Sequence, residues 1–120
     1  MNLSSADLNG AKLYMADLSD AGLSWANLNG ADLSKANFHG AKLLGANLYG
    51  ANLNQANLSG AALGGAKLFR ANLSDAELNN RQTIHQLSHR LRRNNRERPR
   101  RVMQVESSKE KLLASRMVTP

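Results

Sequence analysis

The sequence predicts an all-β solenoid over its first eighty residues, followed by a short helix and a basic tail. Three observations carry the first part. A large apolar residue recurs every five positions, at Leu3, Leu8, Leu13, Leu18, Leu23, Leu28, Leu33, Phe38, Leu43, Leu48, Leu53, Leu58, Leu63, Leu68, Leu73 and Leu78. Alanine stands two places before each centre from Ala6 to Ala76, and glycine fills the fifth place in seven units, taking seven of the chain's nine glycines. A period of five fits neither the 3.6 of a helix nor the 2 of a strand, so one amphipathic element cannot keep these residues on one side. The chain has to turn a corner in every unit.

Each place in the unit Ala, polar, Leu, x, x then has a physical role. Leucine and alanine point inward, the alanines letting opposite walls approach, and stacked layers of the two build a solenoid core. The second place holds turn-forming, water-facing residues: Asn2, Asp7, Asp17, Asn27, Asp32, Asn37, Asn47, Asn52, Asn57 and Asn72, with Lys12, Lys42, Lys67, Gly22, Ala62 and Glu77 in the rest. The Asp and Asn columns are expected to support the coils by side-chain stacking in register. The fifth-place glycines (Gly10, Gly30, Gly40, Gly45, Gly50, Gly60, Gly65) mark corners, because the third residue of a type II turn needs positive φ.

Units such as Ala26-Asn27-Leu28-Asn29-Gly30 and Ala51-Asn52-Leu53-Asn54-Gln55 resemble the A(D/N)LXX motif of the pentapeptide-repeat family, and the resemblance covers residues 1–80. It implies a right-handed quadrilateral β-helix with four units per coil. On that reading there are four coils, a stack of ~19 Å at the usual strand spacing. Phe38 at one centre, and Gly22, Ala62 and the lysines at the second place, are mild departures that alter the surface and not the fold.

At 120 residues the chain supports one domain and a tail, and 42% hydrophobic with only 4% aromatic residues suits a core of Leu and Ala rather than rings. With no cysteine, neither a disulfide framework nor a thiolate metal site is expected. No segment approaches eighteen consecutive apolar residues, and Met1 leads straight into the repeat, so no membrane span and a cytoplasmic place are expected; a bacterial source is only what the family resemblance implies. Charge divides the chain at Asn79-Asn80. Residues 1–80 carry five basic and six acidic groups, net −1; residues 81–120 carry eleven basic and three acidic, net +8.

Past that boundary Ile84, Leu87 and Leu91 recur at i, i+3 and i+7, which predicts a helix over 81–93. Its expected role is to cap the open end of the solenoid, which otherwise exposes strand edges and leucine faces. Arg96 to Arg101, with Pro99 inside, ends the helix and opens the basic tail of 94–120. There Ser107 and Glu110 form a capping box ahead of Leu112, Leu113 and Met117, predicting a second short helix over 108–117.

Two features bear on function. The first is the run Arg90, Arg92, Arg93, Arg96, Arg98, Arg100 and Arg101, whose planar forks suit phosphate or carboxylate. A solvated tail without a specific partner, an acidic protein assembly and nucleic acid all stay open; residues 81–120 contain no Phe, Tyr or Trp on which bases could stack, which disfavours the last. The second follows from the four-unit coil that the resemblance implies. Residues twenty apart then stack, gathering Trp25, Leu44, Tyr49 and Phe69 into an outward apolar corner, with Gly45 and Gly65 leaving room for the indole.

Other constellations fit bland roles. His85 and His89 have a zinc-compatible i, i+4 spacing but no third ligand nearby, so they are expected to be a solvated helix face, and no metal or cofactor is expected. No nucleophile, base and orienter converge, so no catalysis is expected. Family members that act on DNA gyrase do so as acidic, DNA-shaped rods, whereas here the array is nearly neutral, its acids are dispersed along the sequence and the tail is basic. The expected function is a non-catalytic scaffold tied to an acidic macromolecular assembly, such as a linker in a light-harvesting antenna. The alternative is nucleic-acid binding through the tail, and behind it a DNA-mimicking, gyrase-interacting protein of the kind the resemblance implies. The N-terminal coil, residues 1–20, is a candidate for self-association.

Overall fold

The computed structural model describes residues 1–78 of the chain. Every second-place residue pairs in parallel with the one twenty positions on, from Asn2↔Gly22 to Asn57↔Glu77. The ladders continue from level to level, as in Asn2, Gly22, Lys42 and Ala62. Each coil therefore takes twenty residues and, at five per unit, has four walls. The first wall comprises 1–3, 21–23, 41–43 and 61–63; the second, third and fourth start five, ten and fifteen residues later. Corners are numbered after the wall they follow.

Backbone bonds hold the stack. The centre N–H donates to the second-place carbonyl of the next coil (Leu28 to Asn47, 2.8 Å), and the second-place N–H donates back to an alanine carbonyl (Asn47 to Ala26, 2.9 Å). Each corner closes with the alanine N–H donating to the carbonyl three residues before, as from Ala46 to Leu43 at 3.1 Å. The residue between them at the fifth place has φ of +58° to +74° all along the array, which together with that bond is the type II pattern. Glycine is therefore only one of the residues that serve. Ser5, Met15, Asp20, Trp25, Lys35, Gln55, Arg70 and Asp75 adopt the same left-handed conformation, a strain of ~1–2 kcal/mol for a residue with a Cβ.

From Leu18 onward the centres and alanines are buried, Phe38 among them with no exposed surface, while Leu3, Leu8, Leu13 and Ala16 of the first coil pack against this core only partly covered. The inward placement of both residue types follows from burying two apolar side chains per unit while leaving the corner residues in water.

The second-place amides and carboxylates work differently from the stacking expected of them. In ten units the Oδ1 of Asn or Asp accepts the N–H of the fourth-place residue in its own unit, at 2.9–3.2 Å. Bonds up the column are the long pairs Asn27 to Asp7 and Asn72 to Asn52, both 3.4 Å. A short side chain reaches its own corner more readily than a neighbour a full strand spacing away, so these residues brace turns first.

Two braces respond to pH. The Ser19 hydroxyl and then its N–H hold Asp17 below the usual aspartate range, and Ser34 does the same for Asp32. A carboxylate lowered on folding stabilises the folded state above its unfolded pKa of ~3.9 and loses that effect as pH falls through the lower folded value. Acid unfolding monitored by circular dichroism should therefore begin below about pH 4, and Asp17→Asn with Asp32→Asn should flatten the pH dependence there.

The helices expected over 81–93 and 108–117, the pair His85 and His89, and the arginine run all lie outside the described residues.

Candidate interaction surface

The first corner carries Ser24-Trp25, Leu44-Gly45 and Gly64-Gly65 in successive coils; the second carries Asn29-Gly30, Tyr49-Gly50 and Phe69-Arg70. The four apolar residues thus stand on two neighbouring corners, not on the single corner expected. The error is one of register: Leu44 and Tyr49 follow different centres, so the second wall lies between them.

On the first corner the Trp25 ring lies against the backbone of Gly45, where an added Cβ would collide with Cε3 and Cζ3, and Leu44 covers Gly64, with Cδ2 3.1 Å from where a Cβ would be. Trp25 is nevertheless 70% exposed, and its own backbone is left-handed. A strained backbone carrying an exposed indole is a costly arrangement for a corner that serine or glycine fills elsewhere. Gly45→Ala should displace the ring and lower stability by ~1–3 kcal/mol, since the methyl also meets a φ of +67°. Tryptophan emission and a thermal melt check both effects, because Trp25 is the chain's one tryptophan.

On the second corner Tyr49 and Phe69 stack with centroids 5.6 Å apart and planes at 22°, and the Arg70 guanidinium lies 5.4 Å from the Phe69 centroid. These distances suit an aromatic pair with a cation on its outer ring. Beside them Asn29, Asn47, Tyr49, Lys67 and Phe69 line an open depression of about 440 Å³.

Charge sorts by side in a way that the linear order conceals. On the first and second walls and corners the charged groups are Lys42, Lys67 and Arg70, with Asp7 in the first coil. Among the described residues the fourth wall and corner carry Asp17, Asp20 and Glu77 and no lysine or arginine. Acids that look dispersed along the chain are therefore partly gathered, on the wall opposite the aromatic one. At each second-place lysine the corner brace is absent and the residue two places on is large and apolar: Tyr14 after Lys12, Leu44 after Lys42, Phe69 after Lys67. Reading the lysines as mere surface variation missed this pairing, which the sequence does contain.

The pentapeptide-repeat profile matches in eight copies, over residues 1–23, 16–55 and 46–80. The chain belongs to the pentapeptide-repeat family. Members form right-handed quadrilateral β-helices, the architecture that the twenty-residue coil and its four corners build here. This pentapeptide-repeat protein is similar to the solved structure of Rfr23 from the cyanobacterium Cyanothece 51142, at 42% identity and TM-score 0.65, covering 68% of this chain and 54% of that one. It is similar too to alr5209 from Nostoc Pcc 7120, at 38% identity and TM-score 0.65, covering 68% and 71%. It spans about half the length of the Cyanothece protein. No functionally curated protein matches it. Among the described residues no group of three or more His, Cys, Asp or Glu could hold a metal ion, and no helix is long and apolar enough to cross a membrane.

Proposed function

We propose that this pentapeptide-repeat protein is a non-catalytic interaction scaffold that binds an acidic protein assembly. The observation that carries this reading is the gathering of Trp25, Leu44, Tyr49 and Phe69 with Lys42, Lys67 and Arg70 on adjoining sides of the array. Aromatic rings beside arginine are the composition of protein-binding surfaces, where a few such anchors dominate affinity. In this reading the array is a rigid block of four coils in the cytoplasm, the stripe Ile84, Leu87 and Leu91 caps its C-terminal end, and Arg90, Arg92, Arg93, Arg96, Arg98, Arg100 and Arg101 add a second, purely electrostatic contact. The aromatic side stabilises the complex and the arginines speed encounter with a negative partner.

Capture of partners from the native source, with and without nuclease, tests the reading. A protein should be retained after nuclease treatment and lost when the seven arginines are changed to Gln, with the circular dichroism of the array unchanged. Retention that disappears with nuclease would replace the protein partner with nucleic acid.

A further inference from the structure

From the aromatic side and its charge we infer the chemistry of what docks there: an acidic segment in polyproline-II conformation, lying across the second wall from one corner to the other. The inference rests on the scaffold reading and makes it specific to one wall.

The geometry begins with the level of the rings. Trp25 belongs to the second coil but lies on Gly45, which brings its indole to the level of Tyr49 in the third. Between the two stands a wall three residues wide, Ala46-Asn47-Leu48; the four steps from Gly45 to Tyr49 are at most ~13 Å of extended backbone, and the left-handed turn at Gly45 shortens this to on the order of 10 Å. Residues i and i+3 of a polyproline-II segment share a face at a separation of about 9 Å, and grooves lined by aromatic rings recognise such segments. One apolar side chain can thus rest on Trp25 and Leu44 while the next rests on Tyr49. A segment with no internal hydrogen bonds also needs polar partners along its backbone. Asn47 on the wall and Asn29 in the depression supply amides at that place.

The sign of the segment follows from the cations. Lys67 lines the depression and Lys42 stands on the adjoining wall, both exposed; Asp7, three coils below Lys67 on the same wall, is the one acid on these two sides among the described residues, while Asp17, Asp20 and Glu77 are on the far side. An acidic segment is attracted to this wall and repelled from the opposite one. The coupling of Lys42 with Leu44 and Lys67 with Phe69 puts a cation beside an apolar contact at both corners, at the expense of the brace that Asn or Asp provides elsewhere. Single-stranded nucleic acid fits less well. Successive bases need ring faces closer together than about 10 Å, and Tyr49 and Phe69 already occupy each other.

The test uses the full chain and its single tryptophan as reporter. A peptide of three Leu-Glu-Pro repeats is titrated against Trp25 emission, beside the same peptide with Lys for Glu and a twelve-nucleotide oligothymidylate. Saturable binding of the acidic peptide alone is expected, weakened roughly tenfold by Lys67→Glu and unchanged by Lys12→Glu on the third wall. Circular dichroism confirms that both variants fold, as acidic residues already occupy second places. Binding of the lysine peptide as tightly, equal effects of the two variants, or no binding of either peptide overturns the inference, and tighter binding of oligothymidylate assigns the wall to nucleic acid. If Lys67→Glu leaves capture of the native protein partner intact while the arginine variant abolishes it, the scaffold reading stands and the second-wall inference fails.

Discussion

Leu48→Asp is expected to unfold the array. Leu48 has no exposed surface, lies between Leu28 and Leu68 in its column, and belongs to a core cluster of alanines, leucines and Phe38 with no polar or charged member. An aspartate there must either ionise without a partner or stay protonated with its hydrogen bonds unmade, and either costs several kcal/mol. Domains of this size have ~5–15 kcal/mol in total, so one such change is a large share of the stability. The stack also propagates the damage, because each coil is held by its neighbours and a break in the third separates the fourth from the first two. Loss of the β signal in circular dichroism, or aggregation, is the expected outcome, while Leu48→Met should cost less than about 1.5 kcal/mol. An unchanged melt of the aspartate variant would show that the centres do not face inward.

Truncation after Asn80 should have the second largest effect, on the proposal that residues 81–93 cap the last coil. Leu63, Leu68, Leu73 and Leu78 are the terminal leucine layer, each buried. Their burial and the strand edge beside them need a cover, and an uncovered parallel edge pairs with other chains. The truncated chain should melt several degrees lower and self-associate, as sedimentation would show. A truncated chain that stays monomeric with an unchanged melting temperature would give the stripe of Ile84, Leu87 and Leu91 to partner binding instead.

The core of this fold is legible in the sequence because it is written sixteen times. Any one Ala-Asn-Leu triplet is uninformative, but a period of five forces a corner per unit, and the corner forces leucine and alanine inward. The corners themselves were only half legible. Glycine announces positive φ, whereas Ser5, Met15, Trp25, Lys35 and Gln55 adopt it without any local preference, held there by the ladders above and below. The columns of like residues in the sequence point to contacts between coils, which Asn27 to Asp7 and Asn72 to Asn52 do make, but they hide that each Asn and Asp reaches its own corner first. The candidate surface required the register. Trp25, Leu44, Tyr49 and Phe69 are far apart in the chain, and the twenty-residue coil brings them to two corners rather than one. Lys67 and Lys42 entered only with the walls in view, because their relevance lies in which side they share.

If the partner is a protein bound through rings as well as charge, the salt dependence of its affinity shows it most directly. Equilibrium binding of the full chain and of Trp25→Ala would be measured between about 50 and 200 mM salt, with the captured partner and with nucleic acid. Contacts made partly by Trp25, Leu44, Tyr49 and Phe69 predict a shallow fall with salt for the protein partner and a clear loss of affinity in Trp25→Ala. Affinity indifferent to Trp25→Ala, together with nucleic acid bound tightly and losing ~10³-fold or more over that salt range as about six phosphate contacts would, contradicts the account.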